Sequence, residues 1–304
     1  MAAMSAPAPV PKEAVLVVNA HSRKGRALFR RAAFALREAG IRLTAAHGLR
    51  DPALLAPTVK AAVADGAPMV IVGGGDGSLS GAVDELVGGD CVFALLPLGT
   101  ANSFARTLGI PLDLAGAVAT IATGRRRRVD LGVIDGDHFA NSAAIGLSPL
   151  IGATVPPRLK RWLGRVGYLL WAASCMLRFR PFRLTVEVDG GTQSLTALEV
   201  RIANGAFHGG VEVVEGAEVD SGEIVVQAVT GHEKSRLVRN WLAVLARPSA
   251  RQETVRDFRG RRLRIVTDPP LPISIDGEVT GRTPATVEVA GRAIEVVVPN
   301  AAGA

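Results

Sequence analysis

The chain has 304 residues, 48% of them hydrophobic and 21% charged, which is long and apolar enough for one large or two medium cores and excludes a disordered protein. Thirty-five Lys and Arg against 28 Asp and Glu leave a net charge of +7, a balance that suits phosphate-bearing partners. Two cysteines, Cys91 and Cys175, exclude a disulfide scaffold and a Cys-based zinc site. Residues Met1 to Pro11 form an Ala/Pro-rich tail without the apolar stretch of a signal peptide. Tyr168 to Leu177, the longest strongly apolar run, reaches about half a membrane span. The cytoplasm is the expected compartment.

The first half alternates buried-strand runs with helical periods. Ala14–Asn19 reads as a strand, Gly25–Ala39 as a helix turning Leu28, Phe34 and Leu36 inward, and Ile41–Ala46 as a strand. Asp51-Pro52 is a helix start, a capping acid followed by Pro in the first turn, and the helix runs to about Asp65. Pro68–Gly73 is a strand, Ser78–Val87 a helix, Val92–Leu96 a strand and Ala101–Leu108 a helix. That order predicts a parallel sheet with helices on both faces, with ligands beyond the carboxyl ends of its strands.

Beyond Thr123 the pattern changes. Val129–Ile134, Arg183–Val188, Leu195–Ala203, Glu223–Val229, Leu263–Val266, Ile273–Ile275, Thr286–Val289 and Ile294–Val298 are short apolar or alternating runs between Gly-rich turns. They predict an antiparallel β-rich domain interrupted by two helical insertions, Pro157–Leu177 and His232–Leu245. The expected organisation is a tail over 1–11, a nucleotide domain over 12–128 rejoined by about 292–300, and a substrate domain over 129–291. A cleft is expected between them.

Gly73-Gly74-Gly75-Asp76-Gly77-Ser78 stands between a strand and a helix. Glycines let backbone N–H groups approach phosphates, and the helix start adds a positive dipole. Asp76 repels phosphate unless a Mg²⁺ ion or a hydroxyl to be deprotonated lies beside it. No Gly-Lys-Ser/Thr follows, so the loop is not a Walker A motif. Pro97-Leu98-Gly99-Thr100-Ala101-Asn102 follows the next strand and adds the N–H of Gly99, the hydroxyl of Thr100 and the amide of Asn102. Asn19-Ala20-His21-Ser22-Arg23-Lys24-Gly25 ends the first strand at the same edge. Three consecutive strand ends thus carry phosphate-compatible chemistry.

This set resembles the diacylglycerol kinase catalytic-domain superfamily, which includes bacterial lipid kinases, sphingosine kinases and ceramide kinases. The likeness lies in Gly74-Gly75-Asp76-Gly77-Ser78 and Pro97-Leu98-Gly99-Thr100-Ala101-Asn102-Ser103-Phe104-Ala105. It continues through Val129-Asp130-Leu131-Gly132, Phe139-Ala140-Asn141, Asn204-Gly205, Asp220-Ser221-Gly222 and Ile275-Asp276-Gly277-Glu278. The resemblance implies an ATP-holding domain like those of phosphofructokinases and NAD kinases, then a β-sandwich-like domain that helps form the lipid site. It implies transfer of the γ-phosphoryl group of ATP to the hydroxyl of a lipid: diacylglycerol, phosphatidylglycerol, a sphingoid base or ceramide. By the same likeness Asn19, Ser22, Gly75, Asp76, Gly77 and Thr100 are nucleotide contacts, and Gly74, Ser78, Gly99 and Asn102 complete the loops. Glu278 corresponds to the proposed general base, an assignment that the sphingosine kinase branch gives instead to Asp76. Asp76, Asp130, Asp220 and Asp276 are the oxygen donors available to Mg²⁺.

Several positions depart from the family pattern. Gly81 stands for a Glu, Ser103 for an Asp, Ser221 for a second acid, and Ala20 and Arg23 for the Pro and Gly of the first motif. A catalytically weak relative acting as a nucleotide- or lipid-binding regulator is therefore one alternative, and an NAD kinase-like enzyme with a soluble substrate is another. The stretch from Arg158 to Trp171 groups Arg158, Arg161 and Arg165 opposite Leu159, Leu163 and Val166, the composition of an interfacial helix that docks on an anionic membrane. Arg125–Arg128 reads as a solvated edge. No nucleic-acid module is visible, so no nucleic-acid partner is expected. The oligomeric state stays open, a homodimer included.

Overall fold

The computed structural model describes residues 8–21, 23–156, 170–237, 255–276 and 278–300. The chain divides into two compact units, the first of 1–131, 207–210 and 290–304, the second of 132–206 and 211–289.

Unit 1 is a parallel sheet. β1 (Glu13–Asn19) pairs on one side with β2 (Arg42–Leu49) and on the other with β3 (Met69–Gly74), and β3 pairs with β4 (Val92–Pro97). Every residue of β3 and β4 is buried, as expected of strands covered on both faces. Four helices pack in pairs, α1 (Arg23–Glu38) with α5 (Leu114–Thr123) and α2 (Leu55–Ala64) with α3 (Asp76–Val83). Asp51 does cap the entry to α2, accepting from the Ala53 N–H at 3.0 Å ahead of a single 3-10 turn. The helix after β4 is shorter than its sequence suggests: α4 is Ser103–Thr107, because Asn102 sits in the left-handed region at φ +49° and cannot extend it. The inward position expected for Phe34 is wrong. Ala32, Ala33 and Leu36 fill the inner side of α1, and Phe34 is 66% exposed.

Unit 2 is antiparallel and β-rich. β5 (Arg125–Ile134) leaves unit 1 and pairs through its last residues with β6 (Asp137–Phe139). β7 (Ser142–Gly146) leads into the short helix α6 (Leu147–Thr154). β8 (Phe182–Val188) pairs with β9 (Gly191–Ala203), and β9 pairs in turn with β7 and, along its C-terminal part, with β12 (Ile224–Thr230). Between β9 and β12 in sequence come β10 (Phe207–His208), which belongs to unit 1, and β11 (Val211–Glu212), with which unit 2 resumes. β13 (Val255–Gly260) extends beside β12, β14 (Arg262–Asp268) beside β8, and β15 (Pro272–Ile275) with β16 (Glu278–Arg282) beside β7. The two final runs expected at Thr286–Val289 and Ile294–Val298 form one strand, β17 (Ala285–Val298). Its first half pairs antiparallel with β14, and Glu295 and Val296 pair parallel with β4. The core of unit 2 gathers Phe139, Phe182, Leu184, Val200, Val226, Phe258 and Ile265 between strand faces.

Candidate functional site

The strand order β4–β3–β1–β2 contains a switch point. The chain leaves β1 toward β2 on one side and later returns to build β3 and β4 on the other. Crevices at such points, beyond the carboxyl ends of the strands, are where open α/β sheets take ligands. The expected loops sit there. Gly74 ends β3 opposite Pro97 at the end of β4, and Val18, one residue before the end of β1, lies opposite Gly73.

The two glycine loops touch backbone to backbone. A methyl carbon added at Gly99 would lie 2.5 Å from Cα of Gly75, and one added at Gly75 would lie 3.2 Å from Cα of Gly99. At Gly74 it would strike the Ser78 side chain at 2.4 Å. Only glycine allows this seam. The turn then enters α3 with Gly75 extended at its N-cap, so the first-turn amides of Asp76 and Gly77 have no intrahelical carbonyl to serve. Gly77, Gly99 and Thr100 are exposed beside them.

The polar side chains shape these loops. Asn19 donates from Nδ2 to Ser78 Oγ at 3.3 Å and accepts the His21 N–H at 3.2 Å, which ties the end of β1 to α3. His21 Nδ1 in turn bonds the Arg50 carbonyl at 2.8 Å. Asp76 accepts the Phe104 N–H at 3.3 Å and so caps α4 from the neighbouring loop. Asn102 closes a ring with Gly99, accepting its N–H at 2.9 Å and donating to its carbonyl at 3.0 Å. Its amide, expected to face a nucleotide, is 3% exposed and engaged inside its own loop. Ser22 lies outside the described residues.

Ser103 and the 207–210 excursion belong to unit 1 together. The Gly210 N–H donates to Ser103 Oγ at 3.1 Å, and Gly210, at φ +87°, packs against the Ala101 backbone. Sequence reasoning missed this contact; the only signal was the paired Gly209-Gly210 turn.

In unit 2, three of the motif segments meet. Asp276 sits at φ +44° in the turn joining β15 to β16 and accepts the N–H groups of Ala140 and Ser142, each at 3.1 Å. Asn204 donates to the Ala140 carbonyl at 2.9 Å, while the N–H groups of Asn204 and Gly205 both reach the Asn141 carbonyl at 3.0 Å. Asn141, Ser142 and Asn204 are buried, so this hub fixes the turn that ends in Glu278. Glu278 itself is exposed at the first position of β16, opposite Ile275. Gly277 lies outside the described residues.

The four aspartates expected around Mg²⁺ divide between the units, Asp76 and Asp130 in unit 1 and Asp220 and Asp276 in unit 2. Asp76 caps α4, and Asp130 is buried and accepts the Arg292 N–H at 2.7 Å. Asp276 holds two backbone amides, and Asp220 is exposed. Among the described residues no three His, Cys, Asp or Glu side chains form a cluster able to hold a metal ion. The expected interfacial stretch from Arg158 to Trp171 lies outside the described residues except for its last two; the helical insertion expected to end at Leu177 is helical over its described part, 170–178, with Leu170 and Leu177 exposed. No described helix is long and apolar enough to cross a membrane. A cavity of about 720 Å³ bordered by Glu13, His47, Asp65 and Pro68 opens at the strand starts, the opposite end of the sheet from the loops.

Comparison with known proteins accounts for both halves. Residues 13–134 match the diacylglycerol kinase catalytic domain, and 146–298 match the YegS C-terminal NAD kinase beta sandwich-like domain. The fold is therefore an N-terminal α/β domain with parallel strands followed by a β-sandwich-like domain. The chain belongs to the diacylglycerol kinase-like family of lipid kinases, in its YegS-like group. It is 32% identical over 219 residues to a probable lipid kinase YegS-like of Klebsiella pneumoniae, covering 70% of this chain and 72% of that one. To the diacylglycerol kinase of Bacillus subtilis it is 26% identical over 238 residues, covering 76% and 78%. A crystal structure of a candidate diacylglycerol kinase from Bacillus anthracis superposes with a TM-score of 0.81 over 97% of this chain and 98% of that one; at 21% identity the likeness concerns the fold. The match to an uncharacterised Synechocystis protein, 27% identical, spans 77% of this chain but 56% of that longer one.

Proposed function

We propose that this protein is an ATP-dependent kinase that phosphorylates the hydroxyl of a lipid, working as a peripheral enzyme at the cytoplasmic face of a membrane. The observation that carries the reading is the Gly75–Gly99 seam at the switch point, a backbone cradle that side chains would fill. Such a cradle fits a polyphosphate, with the first-turn amides of α3 and the hydroxyls of Thr100 and Ser78 as donors. Asn19 and Asn102 hold the loops in shape.

Mg²⁺ fits less as a resident ion than as one carried by the nucleotide. Magnesium commonly keeps several waters and takes one or two carboxylates plus phosphate oxygens, and Asp76 is the carboxylate on the loop. When bound, the ion supplies charge neutralisation on the phosphates. The acceptor hydroxyl must lose a proton as it attacks, and assistance by a carboxylate is typically worth about 10²–10⁴ in rate. Asp76 and Glu278 are the two candidates for that base.

The deciding experiment is incubation with γ-labelled ATP, Mg²⁺ and a panel of diacylglycerol, phosphatidylglycerol, sphingoid base, ceramide and NAD in mixed micelles. Label on a lipid, abolished in Asp76→Asn, is expected. Label on NAD would make the protein a soluble-substrate kinase, and ATP binding with no labelled acceptor would make it a regulator.

A further inference from the structure

We infer that the outer face of α1 is a docking surface for an anionic phospholipid bilayer. Among the described side chains of α1, those exposed to solvent are Arg26, Ala27, Arg30, Arg31, Phe34, Arg37 and Glu38. At 3.6 residues per turn they occupy one arc of about 140°, with Phe34 near its middle, Arg26, Arg30 and Arg37 on one side and Arg31 on the other. From Arg26 to Arg37 the strip is about 16 Å long. None of the four arginines makes an ion pair or side-chain hydrogen bond among the described residues, and the only acid on the helix is Glu38, in its last turn.

Folding gains nothing from this arrangement. Arg26 lies near the positive end of the helix dipole, and Arg26 and Arg30 are like charges one turn apart, both mildly unfavourable. Phe34 leaves 66% of its surface in water although the inner face of the same helix is fully packed. A row of unpaired arginines around one protruding aromatic is complementary to a surface that is flat, negative and apolar just below its charge. An anionic bilayer has those properties: the guanidinium groups reach phosphates while the ring enters the interface. The choice of a bilayer over a polyanion such as RNA rests on the lipid-kinase reading, since a lipid acceptor must be met at an interface. With one aromatic anchor the contact is reversible and salt-sensitive.

The test is co-sedimentation of the whole protein with phosphatidylcholine vesicles containing about 30% phosphatidylglycerol, at about 50 mM and about 500 mM salt. Binding is expected at low salt and not at high salt or on pure phosphatidylcholine. The Arg30→Gln/Arg31→Gln/Arg37→Gln variant should bind about 100-fold more weakly, at roughly fivefold per arginine. Phe34→Ala alone should lose about tenfold. Both variants alter solvent-facing side chains, and unchanged thermal melting confirms that they fold. Vesicle binding by the triple variant equal to wild type overturns the proposal, as does loss of single-stranded RNA binding with vesicle binding retained. The kinase reading is scored separately in detergent micelles, where the triple variant should still phosphorylate lipid. Intact vesicle binding without any labelled lipid would remove the kinase reading and leave the docking surface standing.

Discussion

Replacing Gly99 by Ala tests the seam between the two loops directly. The added carbon would lie 2.5 Å from Gly75 Cα and 2.8 Å from Asn102 Oδ1, whereas ordinary contacts begin at about 3.4 Å. Relief therefore needs a shift of about 0.9 Å between two backbone segments, with no flexible side-chain end to yield at the first contact. Over-packing of this kind costs about 1–3 kcal/mol, and a displacement near 1 Å in a positioned site can cost about 10² in rate. We expect Gly99→Ala to lower unfolding stability by about 1–3 kcal/mol in urea and to weaken ATP binding at least tenfold by calorimetry. Gly81→Ala is the matched control. Gly81 sits inside α3 with open space around its missing side chain, and alanine there should stabilise by about 0.5–1 kcal/mol without touching nucleotide affinity. Wild-type ATP affinity and stability in Gly99→Ala would refute the cradle.

Two further outcomes concern stability. On unit 2, Arg201 and Glu199 form an ion pair at 3.1 Å with both side chains 6% exposed, and Arg201, Gln227 and Asp257 continue as a cross-strand polar row. Breaking a buried ion pair by removing one member is strongly destabilising, so Arg201→Leu should cost about 3–5 kcal/mol in urea unfolding, and a loss under about 1 kcal/mol would contradict it. Burial pushes the Cys91 thiol up from 9.0 to about 11, against a smaller opposing effect of the Val70 backbone. Below about pH 9 the thiol is protonated folded and unfolded alike, whereas between about 9 and 11 only the unfolded chain releases the proton, so stability falls with rising pH across that window. Cys91→Ala should flatten that part of the pH–stability curve, and a slope identical to wild type would show that the thiol does not contribute.

The two glycine loops were legible because their signal is local: an apolar run sets a strand, and glycines after it mark where the chain turns at the sheet edge. What could not be read was where each polar side chain would aim. Asn102 and Asp276 both look like ligands in sequence, yet both sit at positive φ and bond nearby or cross-strand backbone, a choice made by tertiary packing. Phe34 stands two residues before the buried Leu36, about 200° away around the helix, so the inner face set by Ala32, Ala33 and Leu36 turns the ring out. The positions where family acids are missing are also informative in space. Ser103 accepts the Gly210 N–H, and Ser221 donates within its own turn to Glu218 and Glu223 carbonyls, so two of the three hold local structure with a neutral hydroxyl. The third, Gly81, faces open space, and its loss of a side chain leaves no packing defect. The fold is thus indifferent to the missing charges. Under the proposed reading their consequence falls on an ion carried by the nucleotide, and Asp76→Asn tests it: an Asn side chain can still accept the Phe104 N–H and cap α4, but it brings no charge to such an ion.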